Sequence, residues 1–437
     1  MYRNRLEDLK CWKAKKGHCP LILRGARQVG KTWLLQEFGR VCYKQTIYIN
    51  FEYDTDLHNL FDINLDPARI IQRIEISRGV KIDPKHTLVI FDEIQEVPRG
   101  LTSLKYFCEN APQYDIVCAG STLGVLLHSQ TSFPVGKVDF LDLSPMTFDE
   151  FLRASNTALA DAVEHPDWPL LTQLHTQLTE ELKRYLFVGG MPDAVKTWYE
   201  DQDFGAVRQC QWRILHSYQS DFSKHATKEI LPRIQMIWDT LPAQLAKENK
   251  KFIYGVIREG ARAKDFELAL MWLEQCGLLL KCHRVSTPGY PLKAYMEISH
   301  FKVFLVDVGL LGAMSGLQPV VLFQGNNAFT EFKGALTEQY VMQELHAHSK
   351  DFIGYWSNER STAEVDFMLQ GIQDYIPVEV KAGVSTKAKS FRLFYEKYSP
   401  QEAFRISLLP YQDEGWMKNI PLYAAGCIAH EHSNSIS

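Results

Sequence analysis

The sequence predicts an α/β protein of several domains, the first of them a doubly wound P-loop domain built on a parallel sheet. Three observations carry this. Short Val/Ile/Leu-rich runs recur at 21–25, 47–52, 88–93 and 116–121; helical stretches such as 32–40 and 101–111 separate them; and the first run opens directly into GARQVGKT. Apolar runs without polar alternation belong to strands buried on both faces, as in a parallel sheet covered by helices. A chain of 437 residues has room for about two to four domains of ordinary size.

Composition narrows the class. With 46% hydrophobic and 23% charged residues and no visible repeat, the chain reads as globular. The start, MYRNRLEDLKCWKAKK, lacks the apolar stretch of a signal peptide, and no run approaches the ~18 apolar residues of a membrane span. The expectation is a soluble cytoplasmic protein with no membrane partner. A net charge of −4 and a pI near 6.4 argue against global attraction to nucleic acid, so DNA or RNA would have to use local patches. The nine cysteines form no CxxC pair and read as reduced thiols rather than a zinc site or disulfide framework.

The segment Gly25, Ala26, Arg27, Gln28, Val29, Gly30, Lys31, Thr32 satisfies GxxxxGK[ST] between a strand and a helix. Glycines let backbone N–H groups turn inward around a β-phosphate, and the helix N-terminus adds a favourable dipole. Lys31 would reach the β- and γ-phosphates, and the Thr32 hydroxyl would ligate Mg²⁺. ATP with Mg²⁺ is the implied ligand. The apolar run Leu88-Val89-Ile90-Phe91 then ends in Asp92-Glu93, at the strand edge where parallel sheets bind ligands. Asp92 would hold the metal shell and Glu93 would polarise the attacking water; read alone, the pair is equally an ordinary helix cap. Ser121 ends the next strand and either orients the water or γ-phosphate or caps a turn. Arg27, Lys137, Arg153 and Arg184 are available as a cation near the γ-phosphate, and nothing in the sequence selects among them.

Downstream, residues 147–218 read as a helical lid or connector, broken at VGGMP (188–192), where Gly-Gly and Pro interrupt a helix. Residues 219–300 offer helices and then a hairpin, the order of a winged-helix module. From 301 to 437 the pattern returns to mixed α/β. The predicted division is therefore 1–146, 147–218, 219–300 and 301–437.

A second constellation lies near the end. Glu364-Val-Asp366-Phe-Met-Leu is followed by QGIQD and then Tyr-Ile-Pro-Val-Glu379-Val-Lys381. Alternate strand residues share a face, so Glu379 and Lys381 point together. A turn centred between Ile372 and Gln373 sets Asp366 opposite Glu379. With Glu338 on a preceding helix as a third acid, Asp366 and Glu379 could hold Mg²⁺ while Lys381 positions or activates a water, the chemistry of phosphodiester hydrolysis. The alternative is a surface hairpin with solvated cross-strand pairs. Lys387, Lys389 and Arg392 on the next helix could meet phosphates or simply face solvent.

Taken in order, GARQVGKT, IFDEIQEV, AGS, SPMTFDEF, VGGMP, FLVDVGLL, GALTEQYVMQEL and EVDF with IPVEVKAG resemble a prokaryotic family of AAA-type P-loop ATPases. That family carries a C-terminal domain of unknown function with a restriction-endonuclease-like fold, and the resemblance spans nearly the whole chain. It implies that Lys31, Thr32, Asp92 and Glu93 are the ATPase residues, and that Glu338, Asp366, Glu379 and Lys381 occupy a PD-(D/E)xK nuclease signature. The family often has Gly-Arg where this chain has Gly136-Lys137, and helix 265–276 lacks the small polar residues common in recognition helices. Two functions follow as expectations: an ATPase coupled to a nuclease, or a nucleotide-dependent switch whose nuclease-like domain binds a protein partner without cutting. Oligomerisation is left open by either.

Overall fold

The computed structural model describes residues 1–120, 136–246, 251–324, 330–358, 363–383 and 389–429. Ser121 and Lys387 therefore lie outside the described residues. The chain divides into two compact units, Met1–Ser144 with Gln275–Gly277, and Pro145–Glu274 with Leu278–Ser437.

The first unit contains α1 (Arg5–Ala14), β1 (Leu21–Arg24), α2 (Lys31–Cys42), β2 (Gln45–Asn50), α3 (Pro67–Arg78), β3 (Thr87–Asp92), α4 (Pro98–Asn110), β4 (Asp115–Ala119) and β5 (Asp139–Asp142). Its five strands run in the order β2-β3-β4-β1-β5, every neighbouring pair parallel. Every residue of β3 is buried, as a central strand with both faces covered must be. The edge strand β5 instead alternates between part-buried and exposed residues, and it reads Asp-Phe-Leu-Asp. Helix signals are obeyed locally: the Asp66 side chain caps α3 at the Ala68 N–H, Pro67 opens the helix, and Gly79 closes it at φ 63°. The aromatic rings of Phe51, Phe61, Phe91 and Phe107 pack one face of the sheet. The expectation of reduced thiols fails at one pair, since Cys19 and Cys108 form a disulfide with Cα atoms 5.1 Å apart. They stand 89 residues apart and meet only through the fold, so no local Cys spacing announces them. The other seven cysteines lie outside this bond.

The second unit begins with nine helices among the described residues: α5 (Phe148–Arg153), α6 (Thr157–Glu164), α7 (Trp168–Gln173), α8 (His175–Val188), α9 (Pro192–Asp201), α10 (Phe204–His225), α11 (Leu231–Leu245), α12 (Tyr254–Ile257) and α13 (Ala263–Gln275). There follow β6 (Leu279–Val285), β7 (Met296–Leu305), α14 (Val308–Met314), α15 (Pro319–Gln324), α16 (Thr330–His348), β8 (Ile353–Ser357), β9 (Glu364–Gln370), β10 (Tyr375–Val380), α17 (Lys389–Tyr398), β11 (Phe404–Ser407), β12 (Gln412–Asp413) and β13 (Lys418–Pro421). Eight strands form one mixed sheet, β12-β13-β11-β10-β9-β8-β6-β7.

The boundaries expected at 218/219 and 300/301 do not fall at breaks in this architecture: the first lies inside α10 and the second inside β7. The hairpin expected as a free wing is joined to the C-terminal strands, because His283, Arg284 and Val285 of β6 pair in parallel with Gly354, Tyr355 and Trp356 of β8. The cause is legible in β7, whose first five residues are exposed or half-buried and whose last five are buried. One strand therefore reads as two different segments.

Two motifs that are weak alone turn out to be partners. The Asp307 carboxylate, fully buried after β7, accepts the Gly190 N–H at 2.6 Å and caps α14 at the Leu310 N–H at 2.9 Å. VGGMP needs its glycines for this approach. A Cβ on Gly189, whose φ is 75°, would lie 2.3 Å from Asp307 Oδ1, and one on Gly190 would lie 2.0 Å from the Met146 carbonyl oxygen. Gln339 and Gln343 of α16 complete the junction by accepting the Leu305 and Val308 N–H groups. Burial pushes the Asp307 carboxyl up to about 6 despite these donors. That value lies above the ~3.9 of an unfolded aspartate, so the folded state holds the proton more tightly and Asp307 favours folding most at low pH. Its contribution should decline by about 2 kcal/mol as pH rises from about 4 to 6. Urea titrations across that range should show the decline in the wild type and a flatter profile in Asp307→Asn.

Candidate functional site

The phosphate-binding loop leaves β1 at Arg24 and enters α2 at Lys31. Its turn demands residues that tolerate left-handed backbone: Gln28 has φ 65° and Gly30 has φ 91°. Gly25, at φ 148°, has no room for a side chain, since a Cβ would lie 2.3 Å from the Leu143 carbonyl oxygen. The Lys31 ammonium donates to the carbonyls of Gly25 at 2.9 Å and Ala26 at 2.8 Å, so it is folded back over the loop's own backbone. Thr32 Oγ1 donates to Asp92 Oδ2 at 2.7 Å, which brings together the hydroxyl and carboxylate that the sequence marks as metal ligands. Asp92 also accepts the Tyr48 hydroxyl at 2.9 Å and stands 3% exposed. Burial, with the charge of Asp92 nearby, holds the Tyr48 phenol above its ordinary range, so it stays a donor. Glu93 follows at φ 50°, and its carboxylate accepts the Gln95 side-chain amide.

Residues that the sequence did not suggest support this loop. Arg3 is 3% exposed and donates to the Val29 carbonyl and to the Ser144 carbonyl, each at 2.6 Å. It thus braces the loop against the segment after β5. Its partners lie 26 and 141 residues away, so no local signal could have pointed to it. Of the candidate cations, Lys137 pairs with Glu109 at 3.1 Å, Arg153 with Asp161 and Glu164 at 2.6 Å each, and Arg184 with Glu181. Arg27 lies half-buried on the loop itself.

In the second unit, β9 and β10 pair antiparallel with Tyr375 opposite Gln370 and Val378 opposite Phe367. This register is centred between residues 372 and 373, so Asp366 and Glu379 follow as the next facing pair. The Asp366 carboxylate accepts the Val380 N–H at 2.8 Å. The solvated-hairpin alternative does not describe this place: Glu379 is 5% and Glu338 6% exposed, and every residue of β10 is buried. Glu379 pairs with Lys381. Burial pushes the Glu379 carboxyl up to about 8, Asp366 adding to the push and Lys381 opposing it. On α17, Arg392 pairs with Glu396, and Lys389 is exposed.

The largest departure from the sequence reading is Lys302 of β7. It is 1% exposed, binds Glu364 directly and approaches Glu338 at 3.9 Å. Burial opposes its charge, but Glu364, Glu338 and Asp366 outweigh it and raise its pKa above the ordinary lysine value. A permanent cation therefore sits among the acids proposed to hold a metal. The signal was present, a lone lysine in the apolar run Phe301-Lys302-Val303-Phe304-Leu305, but its partners lie 36 and 62 residues further on. Among the described residues, the group of three or more acidic or histidine side chains with ligand atoms within 4.8 Å of one another is Asp149, Glu344 and His348, not the C-terminal acids.

Comparison with known proteins divides along the same lines. Residues 18–152 match the AAA domain family, residues 179–320 a domain of unknown function (DUF8612), and residues 333–422 a domain of unknown function (DUF4143). No sequence among the curated proteins matches the chain. Among solved structures, a Walker-type ATPase of Pyrococcus abyssi is similar at 16% identity, with 71% of this chain and 95% of that one covered and a TM-score of 0.41. The ORC1 protein of Aeropyrum pernix in complex with DNA is similar at 14% identity, covering 72% and 93%, with a TM-score of 0.29. Cdc6p of Pyrobaculum aerophilum is similar at 12% identity, covering 74% and 95%, with a TM-score of 0.26. At these scores the structures add nothing to what the site argues. The loop motif, its acidic partner and the family match together make residues 18–152 an AAA-type P-loop ATPase domain.

Proposed function

We propose that the chain binds and hydrolyses ATP with Mg²⁺ at the loop 25–32, and that this ATPase works a second unit bearing a nuclease-like acidic site. The observation that supports the ATPase most strongly is the Thr32–Asp92 bond of 2.7 Å at the carboxyl ends of β1 and β3. The donor set fits the ligand: a turn with left-handed backbone at Gln28 and Gly30, a buried lysine and a hydroxyl joined to a carboxylate. Loop N–H groups and the start of α2 would hold the phosphates. Lys31 would exchange the carbonyls of Gly25 and Ala26 for phosphate oxygens, and Thr32 with Asp92 would hold Mg²⁺. The metal would neutralise charge developing on the phosphates. Glu93 would orient the attacking water.

For the second unit, Glu338, Asp366, Glu379 and Lys381 support a nuclease-like reading, in which Asp366 and Glu379 take Mg²⁺ and cut DNA or RNA. Lys302 favours the other reading, a domain that binds a protein partner without cutting, because its ammonium already neutralises Glu364 and Glu338. We take the non-cleaving reading as the better supported.

The tests separate these statements. Lys31→Ala should lower ATP turnover by about a hundredfold or more in a phosphate-release assay, and an unchanged rate would remove the ATPase reading. Arg3→Ala touches no proposed ligand, yet loss of its two carbonyl bonds should weaken ATP binding about tenfold in titrations with a fluorescent ATP analogue. Purified wild type with Mg²⁺ or Mn²⁺ should leave DNA and RNA intact; cleavage abolished by both Asp366→Ala and Lys381→Ala would restore the nuclease reading. Lys302→Met should lose about 3–5 kcal/mol of stability in EDTA, with much of it regained on adding Mn²⁺, because the acids would then need a replacement cation.

A further inference from the structure

Helix α16 carries Tyr340, Glu344 and His348 at four-residue spacing, which lines them along one face. Facing them is Asp149, the second residue of α5. His348 Nε2 lies 3.5 Å from Asp149 Oδ1 and 3.6 Å from Glu344 Oε2, and these side chains are 3–7% exposed. Charge-assisted N–H···O bonds settle at about 2.7–2.9 Å. Three ligand atoms each ~2.1 Å from one tetrahedral ion stand about 3.4 Å apart. Both distances are longer than a charge-assisted bond and close to that spacing, and the three ligand atoms all lie within 4.8 Å of one another.

The surroundings have the features of a built site. The other Glu344 oxygen, Oε1, accepts the Phe148 N–H at 3.0 Å and so fixes the carboxylate's orientation. A small pocket borders Asp149, Glu344 and His348, with Cys427 and Gly426 on its wall. A Cβ on Gly426 would lie 2.8 Å from His348 Nε2, so glycine leaves that nitrogen approachable. An independent observation points the same way. Tyr340 is fully buried in the field of Glu344, Asp149 and Cys427, and its hydroxyl has no hydrogen-bond partner among the described residues. A buried hydroxyl without a partner is costly, and water held in the neighbouring pocket would relieve it.

We propose that Asp149, Glu344 and His348 form a binding site for a divalent transition-metal ion. One imidazole with two carboxylates, beside a cysteine, suits Zn²⁺ and disfavours Mg²⁺ or Ca²⁺, which take oxygen ligands. The ion would tie α5 to α16 within the second unit. No substrate turnover is assigned to it.

The test uses the full chain, stripped with EDTA, reloaded with ZnCl₂ and passed through a desalting column before elemental analysis. The wild type and Asp366→Ala should each retain one zinc per chain, whereas His348→Ala and Asp149→Asn should bind it at least about a hundredfold more weakly. Co²⁺ in place of Zn²⁺ should give the wild type a visible ligand-field absorption that His348→Ala lacks. Far-ultraviolet circular dichroism checks each variant, and the volume-conserving His348→Gln replaces any that does not fold. A wild type that neither retains zinc nor develops the cobalt band overturns the proposal without reference to any variant. Zinc lost in Asp366→Ala but kept in His348→Ala overturns it as well, and leaves the three residues as an ionic contact only.

Discussion

Six carboxylates of the second unit, Asp149, Glu150, Asp307, Glu338, Glu344 and Glu379, stand no more than 6% exposed, and each must find a replacement for the water it has lost. An ionised carboxylate left bare in such surroundings would cost several kcal/mol, a large share of the stability of any domain. The architecture of the unit can be read as the set of answers to that demand. Asp307 takes backbone N–H groups from two segments, which forces VGGMP against the start of α14. Glu150 reaches back to the Thr147 N–H in a capping box, and Glu344 accepts the Phe148 N–H beside it. Glu338 and Glu379 take lysines.

The same demand explains why the two halves of the chain differ in their chemistry. In the first unit the polar centre is small and local: one buried lysine, one buried aspartate, and a turn with left-handed backbone at Gln28 and Gly30. Such a centre can exchange its internal partners for phosphate oxygens at little structural expense, because the carbonyls that Lys31 now satisfies belong to the loop itself. In the second unit Lys302 reaches from one strand to acids on a helix and another strand. Displacing it would leave charges bare across three elements. That asymmetry is the physical ground for the proposal that turnover belongs to the first unit and a non-cleaving role to the second.

How much of this could be read in advance follows from the range of each interaction. The loop 25–32 was legible because phosphate chemistry requires residue types at fixed local spacing. The facing of Asp366 and Glu379 was legible because a hairpin's parity is set by its turn, and the observed Tyr375–Gln370 and Val378–Phe367 pairs share the expected centre. Lys302, Arg3 and the Cys19–Cys108 pair were not, since each depends on partners tens of residues away. The continuity of β7 was hidden for a different reason. Its exposed and buried halves obey different burial rules, and a single hydrophobicity pattern cannot describe both.

The bond between Cys19 and Cys108 closes a covalent ring that includes the whole of loop 25–32 and Asp92. In the unfolded chain the ring keeps both halves of the nucleotide site on one tether, and a closure of this length removes about 4–5 kcal/mol of chain entropy from the denatured ensemble. That advantage exists only while the sulfurs are joined. The stability of the nucleotide fold would thus follow the thiol poise of its surroundings, with no change in any residue of loop 25–32.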